Sequence, residues 1–221
     1  MWNRRCGGPA DLRAITNILI AASPDDPLYQ YRFPDRNRYP AEFEAFCRQK
    51  CLEYLNDSVV QVYEQPTHGV VAFSVWEIPQ AAWPAASQPP GALPSAAIPY
   101  LSFYTEFVRS TATIGNQARK SEFRKALSEA KKKLNAYYGD HVFLRILMTH
   151  PDHRRRGAGT ELTKWGIDLA KRLGVPTTLF ASPMGLKLYE KLGFHEIGKC
   201  HVQVDGDPES LTLPAMVKFP A

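Results

Sequence analysis

The sequence predicts a mixed α/β domain, a central and mostly antiparallel sheet flanked by helices. Three observations predict it. Residues 142–148, VFLRILM, form an almost continuously apolar strand, the pattern expected when both faces of a strand are covered. That strand runs into a Gly-rich, Arg-dense turn, THPDHRRRGAGT at 149–160, which opens an amphipathic helix. The remaining strand-like stretches come in hairpin pairs, 59–63 with 70–77 and 194–205 with 211–219, each joined by turn residues.

In chain order, residues 3–6 read as a short first strand. Residues 10–23 read as a helix with Leu12, Ile15, Leu19 and Ile20 on one face, ended by Pro24-Asp25-Asp26-Pro27. Leu28 to Pro34 is expected to be an aromatic loop, and a second helix spans roughly 41–55. Residues 79–99 are mostly Ala and Pro and show no periodicity, which suits a surface loop. A helical region follows to about residue 138, with Phe123, Leu127, Ala130 and Leu134 at helical spacing. On the strand at 142–148, alternation places Val142, Leu144, Ile146 and Met148 on one face and His141, Phe143, Arg145 and Leu147 on the other. The next helix is expected to bury Leu162, Trp165, Leu169 and Leu173 and to stop at Gly174 and Pro176. Thr177 to Ala181 is the following strand. Ser182 then reads as an N-cap and Pro183 as the first residue of a helix that Gly193 ends.

The turn at 149–160 carries the chemistry. The first N–H groups of a helix have no intrahelical acceptor and sit at the positive end of its dipole, so they receive anions. Gly157 and Gly159 let a ligand approach the backbone without a Cβ in the way. Arg154, Arg155 and Arg156 add forked donors suited to phosphate. A nucleotide-binding loop of the Walker type needs Lys-Ser/Thr after its last glycine, whereas Gly159 is followed by Thr160-Glu161. A Rossmann turn needs a second glycine spacing and a downstream acid, and neither is present.

Arg154-x-x-Gly157-x-Gly159 resembles the Arg/Gln-x-x-Gly-x-Gly/Ala signature of the GNAT N-acetyltransferase superfamily. Leu147-Met148-Thr149-His150-Pro151 stands where members end their central strand. Ala181-Ser182-Pro183 and Leu188-Tyr189-Glu190-Lys191-Leu192-Gly193-Phe194 resemble the family's second signature. The match covers residues 142–197 and is similar to fungal members of the superfamily. It implies a single GNAT domain over residues 1–221. In such domains the second hairpin strand passes quickly to the central strand, so residues 79–140 form an insertion.

The resemblance further implies that acetyl-CoA is the co-substrate. Its binding residues would be Leu147, Met148, Thr149, Arg154, Arg155, Arg156, Gly157, Ala158, Gly159, Thr160, Ser182 and Tyr189. Tyr189 matches the position that serves the departing thiolate. A phenol near pKa 10 is a weaker acid than a thiol near 8.5, so a strong hydrogen bond is expected there, with complete proton transfer optional. The acceptor amine must be neutral, yet only about one alkyl amine in 2,500 is neutral at pH 7. A base or a water path must therefore take its proton. Small-amine members with a His pair on the central strand offer no guide, because Phe143 and Arg145 occupy those positions here. Glu77 and His141 are the candidate bases, with Glu106 a further carboxylate in the insertion. Tyr29, Tyr31, Phe33 and Trp76 either line an aromatic pocket or pack the core.

Composition bounds the remaining classes. The 221 residues carry a net charge of +5, with 44% hydrophobic and 22% charged residues, ordinary for a globular chain. No apolar run is long enough to span a bilayer. Cys6, Cys47, Cys51 and Cys200 form neither a zinc spacing nor a disulfide framework, so no metal and a cytoplasmic setting are expected. Acetyl transfer to a primary amine of a small molecule, by direct attack in a ternary complex, is the leading expectation. A protein or peptide acetyltransferase and a CoA-binding module without turnover are the alternatives. Nucleic acid is disfavoured because the basic residues are densest in one turn instead of along a stripe. Either a monomer or a homodimer is compatible with the sequence.

Overall fold

The computed structural model describes residues 3–79, 82 and 114–220, and these build one seven-stranded sheet with helices on both faces. The elements are β1 (Asn3–Cys6), α1 (Leu12–Ala22), α2 (Pro27–Arg32), α3 (Pro40–Asp57), β2 (Val59–Gln65), β3 (Gly69–Glu77), α4 (Gln117–Tyr138), β4 (Val142–Thr149), α5 (Ala158–Leu173), β5 (Thr177–Phe180), α6 (Leu186–Lys191), β6 (His195–Gln203) and β7 (Ser210–Lys218). The strand order is β1-β2-β3-β4-β5-β7-β6. Every neighbouring pair is antiparallel except β4 and β5, which α5 joins as a parallel crossover.

Two apolar layers hold the helices on the sheet. On one face, Ile15, Ile18 and Leu19 of α1 and Phe43, Cys47 and Cys51 of α3 pack on Val60, Val62, Phe73, Val75 and Met148. On the other, α5 and α6 cover Trp76, Val142, Leu144 and Leu179. The tightest contact lies under Gly166, where an added Cβ would stand 2.1 Å from the Trp76 ring. This approach corrects the expected helix stripe. Ala158, Leu162, Thr163, Gly166 and Ala170 are the buried positions of α5, Trp165 and Leu169 are only partly buried, and Leu173 is exposed. Small residues sit at the centre because they let the helix come down onto a large ring.

Three further expectations are corrected. Residues 28–32 are helical, not loop. Asp26 accepts a hydrogen bond from Leu28 N–H at 2.8 Å and Pro27 supplies the first helical position, so the dipeptide that ends α1 also starts α2. The alternation of β4 breaks at Arg145. Val75 pairs with Ile146 and Trp76 with Leu144, which leaves Arg145 as the extra residue of a β-bulge. Ile146 and Met148 therefore face α1 and α3, while Val142, Leu144 and Leu147 face α5. Finally, α6 begins three residues later than the Ser182 cap implies. Ser182 instead opens a turn, its carbonyl accepting from Gly185 and Leu186 N–H.

Of the proposed insertion, residues 80–81 and 83–113, Glu106 included, lie outside the described residues. Helix α4 closes over β6 and β7 through Phe123, Cys200, Val202 and Leu213. It is tied to the loop joining β6 and β7 by Arg119, whose Nε donates to Asp207 at 2.6 Å and whose Nη1 donates to Glu209 at 2.9 Å.

An ion pair at the sheet edge gives a pH prediction. Arg5 grips the buried Asp11 carboxylate with two 2.7 Å hydrogen bonds, and Gly8 N–H adds a third. The Arg5 guanidinium holds this carboxyl below its ordinary value. A depressed carboxylate stabilises the fold fully above its unfolded pKa, about 3.9, and that contribution fades as pH falls through the folded value. Asp11→Asn is expected to cost about 1 kcal/mol at neutral pH, after discounting for the half-exposed arginine. The cost should shrink as pH falls below about 3.9 and on through the folded value. Urea unfolding of both proteins between neutral pH and about pH 2 measures it.

Candidate active site

β4 and β5 pair only from Val142 with Thr177 to Leu144 with Leu179. Past Leu144, β5 stays with β7 and turns away, while β4 continues to Thr149 paired to β3 alone. Residues 145–149 thus present main-chain donors and acceptors toward an opening in the middle of the sheet, among the described residues without a strand to meet them. The bulge at Arg145 sits where the strands part, and extra local twist is what a bulge supplies.

The turn beyond Thr149 brings the phosphate-type loop to the same opening. His150 N–H donates to Val71 O at 2.9 Å, and a 3₁₀ turn over Pro151–His153 follows. Arg155 takes φ 59° and Gly157 φ 90°, the left-handed region that glycine enters freely and arginine at some cost. The N–H groups of six successive residues, Arg155 to Thr160, have no acceptor among the described residues before Glu161 N–H closes the first helical bond to Gly157 O. Arg155, Arg156 and Gly157 are exposed. A Cβ on Gly159 would come within 3.4 Å of Leu188 and 3.7 Å of Leu147, so loop, β4 and α6 converge there. Arg154 is turned elsewhere. Its Nη1 donates to Asp25 at 2.5 Å, tying the loop to the segment between α1 and α2.

Tyr189, in α6, is buried with Leu144 and Leu179, the last paired residues before the opening. Gly185 fixes it, because a Cβ at Gly185 would meet the phenol ring at 2.7 Å. Its hydroxyl has no hydrogen-bond partner among the described residues. Burial pushes the phenol well above its ordinary pKa of about 10, and the charge of Asp26 adds to the rise. Asp26 caps the start of α2, and its charge is felt by Tyr189. Burial raises the Asp26 carboxyl, partly offset by Leu28 N–H and by Arg32 and Arg154.

The structure gathers Leu147, Thr149, the 154–160 loop and Tyr189 around one opening, with Met148 turned to the α1 side. Ser182 lies in the turn before α6, its Oγ accepting from Gly185 N–H at 3.3 Å. Glu77 and His141 lie toward the other end of β4. Glu77 accepts from Lys131, with Arg145 Nε 3.9 Å from its second oxygen. His141 Nδ1 is 2.8 Å from Gly139 O. Tyr29, Tyr31, Phe33 and Trp76 are core residues, the first and third packed with Phe43 and Phe46. Asp26 went unnoticed in the sequence, where Asp-Pro read as a helix stop. Its one signal was a cap residue preceding a proline.

An opening flanked by main-chain donors, with an anion-receiving loop at one end and a buried phenol at the other, is an arrangement suited to an acyltransferase that draws its acyl group from a phosphorylated carrier. Residues 127–194 match the family model described as Acetyltransferase (GNAT) family. An acetyltransferase of Stachybotrys chartarum is 24% identical over 216 residues, 94% of this chain and 86% of that protein. The fold is shared with two solved structures. One is a histone acetyltransferase HPA2 and related acetyltransferase of Corynebacterium glutamicum, with TM-score 0.61, 19% identity and 100% and 97% of the two chains covered. The other is the Drosophila melanogaster polyamine N-acetyltransferase that forms N-acetylagmatine, with TM-score 0.59, 15% identity and 99% and 100% covered. The segment from 127 to 194 is thus similar to GNAT acetyltransferases, and the donor that family implies is acetyl-CoA. The N–H groups of Arg155 to Thr160 are of the kind that receives phosphates, and the open edge of β4 offers main-chain groups to an amide-bearing ligand. Among the described residues no helix is long and apolar enough to cross a membrane.

Proposed function

We propose that the protein transfers the acetyl group of acetyl-CoA to the primary amine of a small molecule, by direct attack within a ternary complex. The observation that carries this reading is the separation of β4 from β5 beside the 155–160 loop, with Tyr189 buried against the last paired residues. The N–H groups of residues 155–160, with the Arg155 and Arg156 side chains, would hold the diphosphate, and the Leu147 to Thr149 main chain the arm. The donor supplies an activated acetyl thioester. Tyr189 gives a hydrogen bond to the departing sulfur. Its phenol lies too high to surrender the proton readily, so the bond itself is the contribution. A cytoplasmic setting belongs to the same proposal, supported by four free cysteines.

Asp26 is our candidate for the group that takes the amine proton. Its carboxyl stands above the ordinary carboxylate range, which suits a base better than a strongly acidic group. Glu77 is engaged by Lys131, and both Glu77 and His141 lie toward the far end of β4 from the loop. Asp26→Asn keeps a good helix cap and removes the basic oxygen. The ionised form of Asp26 is the active one. The wild-type rate should therefore fall as pH drops through a pKa above the usual carboxylate value, and the Asn variant should lose that limb with about a hundredfold lower kcat/KM. Glu77→Gln should retain the limb. A limb that persists in Asp26→Asn assigns the base elsewhere.

Calorimetric titration with acetyl-CoA, beside thermal unfolding, tests the donor. At about a hundred times Kd the ligand should stabilise the fold by about 2.7 kcal/mol. Gly157→Ala forces alanine to φ 90° in open space, with no clash, at a strain of about 1–2 kcal/mol. It is expected to weaken binding about tenfold, and Arg154→Ala is expected to weaken it too. Absence of binding to folded wild-type protein would remove the donor assignment. CoA release across small amines and peptides then selects between small-molecule and peptide acceptors.

A further inference from the structure

The rim of the phosphate loop carries an imidazole cluster that acetyl transfer does not use. His68 lies in the turn between β2 and β3, while His150 and His153 bracket the 3₁₀ turn after β4. The sheet register brings them together, because Ala72 near the start of β3 pairs with Thr149 at the end of β4. The His68 and His153 rings meet edge to face with centroids 4.8 Å apart, and those of His150 and His153 are 5.7 Å apart. His153 Nδ1 is buried with no hydrogen-bond partner among the described residues.

The charged and titratable groups facing His153 are His68, His150, Arg156 and Asp152. Asp152 is the one carboxylate among them, largely exposed and 3.7 Å from His150 Nδ1. Burial first, and then His68, Arg156 and His150, push the His153 imidazole below its ordinary value. The cluster is short of negative charge. A metal does not account for it, since no three His, Cys, Asp or Glu among the described residues are arranged to hold one. An anion does, and the loop N–H groups beginning at Arg155 are already matched to a diphosphate.

We propose that His68, His150 and His153 with Arg156 form a phosphomonoester subsite on the loop rim, which receives the 3′-phosphate of the coenzyme and takes up a proton as it does so. This rests on the acetyl-CoA reading. A phosphomonoester ionises a second time near pH 6 and offers three acceptor oxygens, a match for imidazoles that gain a proton beside it. An arriving dianion raises the imidazole pKa, so the added affinity is greatest between the second ionisation of the phosphate, near pH 6, and the pKa of the bound imidazoles, and it fades as pH rises through the latter.

Calorimetry of the full chain with acetyl-CoA and with acetyl-3′-dephospho-CoA tests this, at about pH 6 and pH 8 and in two buffers of different ionisation enthalpy. Removing the 3′-phosphate should weaken binding about tenfold at the lower pH and about twofold or less at the higher. Net proton uptake should accompany the 3′-phosphate alone. His68→Asn/His153→Asn should bind both donors alike without proton uptake. His68→Asn on its own, in an exposed turn, covers the case in which the pair does not fold. Equal affinities in wild type, or discrimination that survives in the variants, would overturn the subsite while leaving acetyl-CoA binding intact. Wild-type protein that binds neither donor overturns both readings.

Discussion

Tyr189→Phe is expected to lower kcat by tenfold or more while leaving acetyl-CoA affinity within about twofold. The hydroxyl has no partner among the described residues, so deleting it strands no donor or acceptor, and the ring keeps its packing against Leu144, Leu179 and Phe194. What disappears is one hydrogen bond that matters only as negative charge builds on sulfur. Hydrogen bonds to charged groups contribute about 1.5–3 kcal/mol, or roughly 10- to 150-fold in rate. Steady-state kinetics with single-turnover controls reads the effect. Gly185→Ala sharpens it. The backbone at Gly185, φ −88° and ψ −21°, accepts alanine without strain, and the first thing the new methyl meets is the Tyr189 ring. Its loss of kcat should therefore shrink in the Tyr189→Phe background, since the group it displaces is no longer working. An unchanged kcat in Tyr189→Phe, with chemistry limiting, would refute the role of the phenol.

Gly166→Ala is expected to destabilise the fold by about 3 kcal/mol, at the upper end of the range for overpacking. On an exposed helix the same change would be favourable by about 1 kcal/mol. Here the added methyl lands 2.1 Å from a fully buried tryptophan whose Nε1 is already fixed to Ser74 Oγ at 2.9 Å. Neither partner has room, so α5 must lift. Because α5 begins at the phosphate-type loop, acetyl-CoA affinity should fall along with thermal stability. Chemical unfolding measures the first loss and calorimetry the second. A variant as stable as wild type would mean that α5 does not depend on this contact.

The loop at 149–160 was legible because its requirements are backbone requirements. A left-handed residue at 157 and close packing at 159 ask for glycine by name. The strands were legible from apolar runs, and their pairing from turn residues. What escaped was set by neighbours. Nothing within VFLRILM marks Arg145 as the bulged residue, since the alternation reads on unbroken and only the pairing with β3 breaks it. The buried face of α5 was read from its largest residues, whereas its contact is made by its smallest. Asp26 was hidden because Asp-Pro serves equally as stop and start. Glu77 and His141 were chosen from their places along strands, which reveal nothing of Lys131 or Gly139.

The open edge of β4 divides the site by kind of material. In the proposed site the donor would be met chiefly by peptide groups, and peptide groups are the same whatever residue carries them. The acceptor would be met by side chains. Mutation can rewrite the second set while leaving the first nearly untouched. A chain built this way inherits its acetyl source from its backbone and is free to change what it acetylates.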